Sequence, residues 1–458
     1  MMHIFNTLSK QKEKFQAIQA GKVGIYICGV TVYDYCHLGH ARTYTSADVM
    51  IRYLRSQGYD VNYVRNITDI DDKIIKRAAE NNEDFKQLTQ RFTQAMHEDF
   101  AALYLLPPNE EPRATDFIPQ MITLIAQMIT NGHAYVASNG DVYCEVRSIP
   151  DYGCLSHHDI DQLESGARVE IADVKRDPLD FVLWKLAKPD EPWWDSPWGK
   201  GRPGWHTECV VMSRTLLGSH FDIHGGGRDL IFPHHENEIA QARATETAPF
   251  ANIWVHGGFL QIAKEKMSKS LGNFVTIRDL LKEHSKEVLR YFLVASHYRS
   301  PLIYTPDAIQ QAKQSLTRLY TALRFLPVLE KIEQSPFETA FNEAMDDDFN
   351  TPIALSVLFE LAHEIQRLRE KDVALAAQHA ALLKHLAQIL GLLQEEVESF
   401  FQPGATTDAA KIETLIAERQ QARKEKNWAE ADRIRQTLAE MNVLIEDTAN
   451  GTTWKSGA

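Results

Sequence analysis

The sequence is poor in cysteine: five among 458 residues, at Cys28, Cys36, Cys144, Cys154 and Cys209. So sparse and odd a set argues against a disulfide framework and leaves the thiols for metal binding or catalysis. No run of apolar residues is long enough to predict a membrane-spanning helix. The opening Met-Met-His-Ile-Phe-Asn lacks a basic stretch leading into an apolar one. No secretion signal is therefore expected, and the chain reads as cytoplasmic. Low-complexity tracts and internal repeats are missing, which argues against fibres and solenoids. An excess of positive charge is missing too: 49 basic residues face 62 acidic ones, a net charge of −13. Chains that live on nucleic acid are usually basic, so composition alone votes mildly against such a partner.

What is present is ordinary globular material. Hydrophobic residues make up 44% and charged residues 24%, which excludes a disordered chain. The length predicts roughly two to four domains. Histidine is abundant, with 18 in the chain, and several fall between His206 and His256, a first sign of a metal or phosphate site. Charge is uneven near the end. Arg419, Arg423, Lys424, Lys426, Arg433 and Arg435 face only Glu425, Glu430 and Asp432. Such a face binds phosphate, or is a solvated helix laced with ion pairs.

The order of elements argues for a parallel sheet wound with helices. Residues 23–30 read as a buried strand ending at glycine, 41–56 as a helix stopped by Gly58, 60–68 as a second strand, and 71–104 as a long helical stretch. Ligands on such sheets bind at the carboxyl ends of strands, where Cys28 and His37-Leu-Gly-His40 fall. From about 135 to 205 the chain carries short strands, turns and tryptophans, as an insertion would. Ser219–His224 reads as another strand leading to Gly225-Gly-Gly227, and Pro233 opens a helix through Arg243. From Pro306 onward 308–332, 350–370 and 374–401 show apolar residues at three- and four-residue spacing, as in a helical bundle. Pro403-Gly404 reads as a linker. One or two helices over 409–441, a strand at 443–445 and a turn at Asn450-Gly451 close the chain.

Three groups of residues carry chemistry. His37-Leu-Gly-His40 lies between a strand and a helix, where free amides and a positive helix end suit phosphate. Two imidazoles there can donate to triphosphate oxygens, and Gly39 lets a nucleotide approach the backbone. The plainer reading is a loop with capping histidines. Lys266-Met-Ser-Lys-Ser270 reads as a mobile cationic loop for phosphate, or as an ordinary basic surface loop. The third group is Trp205-His-Thr-Glu-Cys209 with Phe232-Pro-His-His-Glu-Asn-Glu238. On a helix His234 and Glu238 share one face at i and i+4, and Cys209 with Cys28 would complete a tetrahedral zinc site. Spacing alone leaves His235, His206, His224 and Cys36 as competing ligands, and a separate pairing of Cys144 with Cys154 near His157 and His158 as an alternative.

The ordered pair His37-Leu-Gly-His40 and Lys266-Met-Ser-Lys-Ser270 resembles the signature of the class I aminoacyl-tRNA synthetases. Further strings resemble the cysteinyl-tRNA synthetases within that class: Gly204-Trp-His-Thr-Glu-Cys209, Asp222-Ile-His-Gly-Gly-Gly227, Phe232 to Glu238, Asn66-Ile-Thr-Asp-Ile-Asp-Asp72 and Met345-Asp-Asp-Asp-Phe-Asn-Thr-Pro352. The resemblance covers nearly the whole chain and is least sharp over the last fifty residues or so. Leu38 stands where the family's first motif often has isoleucine, an apolar exchange. The resemblance implies a Rossmann-like α/β catalytic domain (1–110 and 206–305) with a connective insertion (111–205). It also implies an all-α bundle that meets tRNA (306–402) and a small α+β anticodon-binding unit (403–458).

By the same resemblance, Cys28, Cys209, His234 and Glu238 hold Zn2+, which binds the thiolate of the substrate L-cysteine and so rejects serine without an editing domain. His37, Gly39, His40, Lys266, Ser268 and Lys269 bind ATP with Mg2+, the two histidines and two lysines being catalytic. Gly29, Thr43, Asn66, Thr68, Trp205, Gly227 and Asp229 line the substrate pocket. The implied reaction forms cysteinyl adenylate and pyrophosphate, then passes cysteine to the terminal ribose of tRNA(Cys). Arg423, Lys424, Trp428, Arg433 and Arg435 would read anticodon bases. A monomer is expected. The nearest competing reading is an ATP-dependent ligase joining cysteine to a small amino-sugar, which would not need the basic C-terminal unit. A zinc hydrolase would leave both phosphate motifs unused, and a non-catalytic RNA-binding protein would not need intact His37, His40, Lys266 and Lys269.

Overall fold

The computed structural model describes residues 1–159, 174–246, 249–262, 265–266, 274–327, 329, 335–401, 405–441, 443–448 and 451–456. Within these bounds the chain forms two compact units. The first comprises Met1–Gln314, Gln334–Glu360 and Ile389–Leu392, the second Ser315–Glu333, Leu361–Gln388 and Leu393–Ala458.

The first unit is built on a four-stranded parallel sheet. Its strands are β1 (Lys22–Thr31), β2 (Asp60–Thr68), β3 (Phe221–Gly227) and β4 (Ala251–Gly257), in spatial order β4-β3-β1-β2. Val, Ile and Tyr recur along β1 and β2, and glycines close β3. Most of their residues are buried, as a sheet covered on both faces requires. The chain leaves β1 in one direction, through helix α1 (Leu38–Ser56) to β2, while β3 lies on the other side of β1. The carboxyl ends of β1 and β3 therefore flank the switch point at which such sheets open a crevice.

The insertion contains a four-stranded antiparallel sheet of Ala134–Val136, Val142–Cys144, Phe181–Leu186 and Gly201–Pro203, paired in chain order. Its Trp184 is fully buried. A hairpin that the sequence pattern did not announce, His3–Asn6 with Gln11–Lys14, opens the chain. Asn6 Oδ1 accepts the Trp254 amide of β4 at 3.0 Å.

Several expected boundaries shift for local reasons. The stretch 71–104 is two helices, Asp72–Asn81 and Phe85–Ala102. Asn82 takes the left-handed conformation (φ 52°) and Asp84 accepts the Lys86 amide, a stop signal and a cap side by side. The expected helix 374–401 is likewise broken, into Val373–Ile389 and Val397–Phe401, with Gly391 at φ 69° between them. The other C-terminal helices are Pro306–Leu323, Pro336–Asp346, Thr351–Leu368, Ala405–Lys424 and Trp428–Glu440, followed by the hairpin Val443–Thr448 and Gly451–Ser456. Ile412, Ile416, Ile434, Leu438, Val443 and Trp454 form a small core of their own in the second unit. The Pro403-Gly404 linker and Asn450 lie outside the described residues.

Candidate functional site

The site grows from the ends of β1 and β3. Pairing between β1 and β2 slips between Ile27 and Val30, and Gly29 sits in the slip. Its amide donates to Asn66 Oδ1 at 2.7 Å, and a Cβ there would lie 1.6 Å from the Asn66 carbonyl oxygen. Only glycine lets the two strands touch here.

Helix α2 (Trp205–Leu217) brings Cys209, and helix α3 (Glu236–Thr245), preceded by a wide turn at Ile231–His235, brings His234 and Glu238. The four side chains predicted as metal ligands meet. Cys28 Sγ lies 3.6 Å from Cys209 Sγ, 3.6 Å from His234 Nε2 and 3.4 Å from Glu238 Oε1. His234 Nε2 is 3.0 Å from Glu238 Oε1 and also contacts the Cys209 thiol. All four are buried. A fifth candidate joins them: His235 Nε2 is 3.2 Å from Cys28 Sγ, and Cys28, His234, His235 and Glu238 have donor atoms within 4.8 Å of one another. His206 Nδ1 and His224 Nε2 stand one contact further out, on His234 Nδ1 at 2.9 Å and on Glu238 Oε2 at 2.7 Å. The relay His235 Nδ1 to His256 Nε2 (2.8 Å) and His256 Nδ1 to Thr7 Oγ1 (2.8 Å) continues outward. His256 and Thr7 were missed by sequence reading; only the density of histidine over this stretch hinted at a relay.

The titratable groups of this cluster shift one another strongly. Burial pushes the Glu238 carboxyl up, but the charges of His224 and His234 outweigh it and hold Glu238 well below the usual range. Burial also opposes Cys209 ionisation, yet the hydrogen bond with Cys28 and the charge of His234 bring its thiol down to about 6. Against the opposing effect of burial, Glu238 and Cys209 raise His234 to about 9. Cys28 is held well above the usual thiol range by burial and by Cys209. Two sulfurs, an imidazole and a carboxylate in a dry pocket are a donor set that suits Zn2+. Cys36 and the pair Cys144 and Cys154 stand outside this gathering, and none of the five cysteines forms a disulfide.

The phosphate motif is a helix cap. His37 precedes α1; its Nδ1 accepts the His40 amide at 3.3 Å, and His40 Nδ1 accepts the His37 amide at 3.2 Å. The rings stack with centroids 3.7 Å apart. The capping reading and the phosphate reading are thus compatible: with Nδ1 accepting, each ring carries its proton on Nε2 as a donor. His37, Gly39 and His40 line a cleft of about 300 Å³ together with Cys28, Gly29, Thr43, Trp205, Gly227 and Asp229. Tyr33, Lys73 and Arg228 line it as well and were not anticipated. Asn66 and Thr68 lie at the carboxyl end of β2. Both are buried, Asn66 Oδ1 accepting the Gly29 amide and Thr68 Oγ1 donating to Glu208 Oε2 at 3.1 Å. The Trp205 ring stacks on His234 at 4.0 Å.

Of the lysine loop, Lys266 is described by its backbone alone, which pairs with Gln261 in the strand Leu260–Ile262; Met267, Ser268, Lys269 and Ser270 lie outside the described residues. The far side of the loop returns to the first motif: the Leu38 amide donates to Val275 O and the Ile277 amide to Cys36 O, both at 3.0 Å. In the second unit, Arg419 and Arg423 pair with Asp447, and Arg433 with Glu430. Half of the basic face is thus ion-paired, while Lys424, Lys426, Arg435 and Trp428 are exposed.

A parallel sheet with its switch point at this cleft and a histidine-capped helix leading out of it define a class I aminoacyl-tRNA synthetase. The family description "tRNA synthetases class I (C) catalytic domain" matches residues 14–314, "DALR domain" matches 340–394, and "Cysteinyl-tRNA ligase anticodon binding domain" matches 409–454. The chain belongs to the cysteine–tRNA ligase family. It is 57% identical over 459 aligned positions to the cysteine–tRNA ligase of Yersinia pestis, covering 99% of this chain and 100% of that protein. The enzyme of Yersinia enterocolitica stands at the same 57% and the same coverage. Among solved structures, methionyl-tRNA synthetase of Mycobacterium tuberculosis with methionyl-adenylate superposes at TM-score 0.56 and 16% identity, over 86% of this chain and 94% of that one. The LeuRS–tRNA–LeuAMS complex of Agrobacterium radiobacter K84 superposes at TM-score 0.57 and 12% identity, over 82% of this chain and 84% of that one. At such identity these two likenesses speak for the fold. No helix among the described residues is long and apolar enough to cross a membrane.

Proposed function

We propose that the chain activates L-cysteine with ATP to cysteinyl adenylate and transfers it to the 2′-hydroxyl of tRNA(Cys), as a monomer in the cytoplasm, with Cys28, Cys209, His234 and Glu238 holding Zn2+. The observation that carries the reading is the convergence of these four residues beside a cleft that Cys28, His37, Gly39 and His40 line together. When bound, the ion supplies a soft, thiolate-selective contact for the substrate side chain, which a serine hydroxyl cannot match.

The protein's own groups account for the rest. The cysteine carboxylate is ionised at neutral pH and needs no general base to attack the α-phosphorus. Catalysis is then positioning and charge stabilisation. The Nε2–H groups of His37 and His40 donate to the phosphate oxygens, and the α1 end adds its positive dipole. Lys266, Ser268 and Lys269 close on the departing pyrophosphate, with Mg2+ entering as the counter-ion of ATP. The tie from Val275 and Ile277 to residues 36–38 joins this loop to the His37 end of the cleft. Gly29 and Gly227 keep the floor open, Thr43 and Asp229 face the adenylate, and Trp205 packs against the substrate from His234. Asn66 and Thr68 act through Gly29 and Glu208. The bundle and the C-terminal unit hold tRNA, with Arg423, Lys424, Trp428, Arg433 and Arg435 at the anticodon.

ATP–pyrophosphate exchange in the zinc-loaded protein, with cysteine and serine side by side and no tRNA, tests this directly. Exchange with cysteine alone is expected. Equal exchange with both would sink the thiolate selection, and no exchange with either would sink the adenylate chemistry. Charging of tRNA(Cys) then separates the synthetase from a ligase that passes cysteine to an amino-sugar.

A further inference from the structure

Glu236 carries none of the roles above, yet it is buried to 1% exposure at the first position of α3, between His234 and Glu238. Its carboxylate is gathered by one loop of the insertion. Oε1 accepts the Gly153 amide at 3.0 Å, and Oε2 accepts the Leu155 amide at 3.1 Å and the Ser156 amide at 2.7 Å. The Cys154 thiol lies 3.6 Å from Oε1. The next residue is held by the same loop, since the Tyr152 hydroxyl donates to Asn237 Oδ1 at 2.5 Å. A concave run of backbone amides around an oxyanion is a recurrent way to bind an anion; here the anion is the protein's own. The loop's shape depends on Gly153, at φ 95°, where a Cβ would fall 2.4 Å from the His158 carbonyl oxygen.

The anchor sits directly after an irregular turn. The turn Ile231–His235 is wide, and Phe232 within it is extended (φ −137°, ψ 131°). Wide turns of this kind are rare and occur mostly as single turns, frequently at functional sites. The two donors on either side, His234 and Glu238, need their i, i+4 phase kept if both are to reach Cys28.

We propose that Glu236 is a positioning residue for the metal site: residues 152–156 clamp Glu236 and Asn237, and the clamp holds His234 and Glu238 in register with Cys28 and Cys209. The inference rests on the zinc reading above. In that reading the insertion, through this loop, sets metal affinity without supplying a ligand.

Glu236→Gln tests it, because the new amide NH2 points a donor at backbone donors. Zinc affinity of the full chain, measured by chelator competition, is expected to fall about 10–100-fold, the range seen when an outer partner of a ligand is lost. Cobalt-substituted protein is expected to show altered ligand-field bands. The KM for cysteine is expected to rise while the KM for ATP stays put, which also shows that the cleft is folded. Wild-type zinc affinity together with an unchanged cobalt spectrum in the variant would overturn the proposal. Should E236Q fail to fold, Tyr152→Phe carries the same test with an expected loss of about threefold, one neutral hydrogen bond's worth; unchanged affinity there overturns it too. A wild-type chain that takes up no zinc sinks the metal reading itself, and this inference with it, before any variant is compared.

Discussion

His37 and His40 cap one helix end reciprocally, Nδ1 of each ring accepting the other's backbone amide at 3.3 and 3.2 Å. The cap and the phosphate contact use opposite edges of the same ring, so the two jobs can be separated. In His37→Asp the carboxylate still caps α1, and the thermal midpoint is expected to stay near wild type. Exchange is expected to fall about 100-fold for loss of one donor to the developing charge. His37→Ala is expected to lose the same activity and, in addition, about 1 kcal/mol of stability. Thermal melts beside exchange assays check both.

Metal removal offers a second check. Stripping zinc with a chelator is expected to abolish cysteine-dependent exchange, and re-addition of zinc to restore it. Cys28→Ser and Cys209→Ser are each expected to lower zinc affinity by more than about 100-fold, since even outer partners of ligands cost 10–100-fold. Metal content after dialysis reads this directly. Retention of zinc by both variants would remove these thiols from the site.

Trp205 stacks on His234 at 4.0 Å. Trp205→Ala is expected to raise the KM for cysteine up to about tenfold, the worth of one aromatic stack, with the KM for ATP unchanged. A rise in both would mean that the substitution collapses the cleft.

A pH effect is expected from Glu111, which bonds the buried Arg65 at 2.5 Å and His97 at 2.6 Å. Burial pushes its carboxyl up, but the His97 hydrogen bond and the Arg65 charge outweigh this and hold it below 4.5. A depressed carboxyl contributes stability above its ordinary value and loses it as pH falls through the folded value. Glu111→Gln is therefore expected to cost about 2 kcal/mol at pH 7, the worth of a hydrogen bond to a charged group, with a gap from wild type that narrows as the carboxyl is protonated in acid. Urea melts at neutral and acid pH check the sign; a gap that widens on acidification would refute it.

In the C-terminal unit Trp428 is 59% exposed at the start of its helix, near the exposed Lys424 and Lys426. Trp428→Ala is expected to lower kcat/KM for tRNA about tenfold or more, the worth of one base stack. Exchange without tRNA is expected to be untouched. Equal losses in both assays would place the effect in folding rather than recognition.

Much of this protein is local and was readable as such. Strand, glycine, turn and helix from Lys22 to Ser56 are written in β-branched runs, a histidine cap and Gly58, each acting over a few residues, and they announced an α/β crevice. The i, i+4 pair His234 and Glu238 is equally local. The break at Asn82 lies in the polar run Glu80–Asp84, a signal the residues themselves carry, whereas at Gly391 the apolar run Ile389–Leu393 continues while the backbone does not. The rest belongs to tertiary structure. Cys28 and Cys209 meet at 3.6 Å across 181 positions only because β1 and β3 pair in parallel. The sorting of five histidines into a donor, a neighbour on Cys28 and outer partners follows from how α2, α3 and β4 pack around that pairing. Sequence spacing carries chemistry within one element; the register between elements is set by burial of the whole sheet, which no short motif contains.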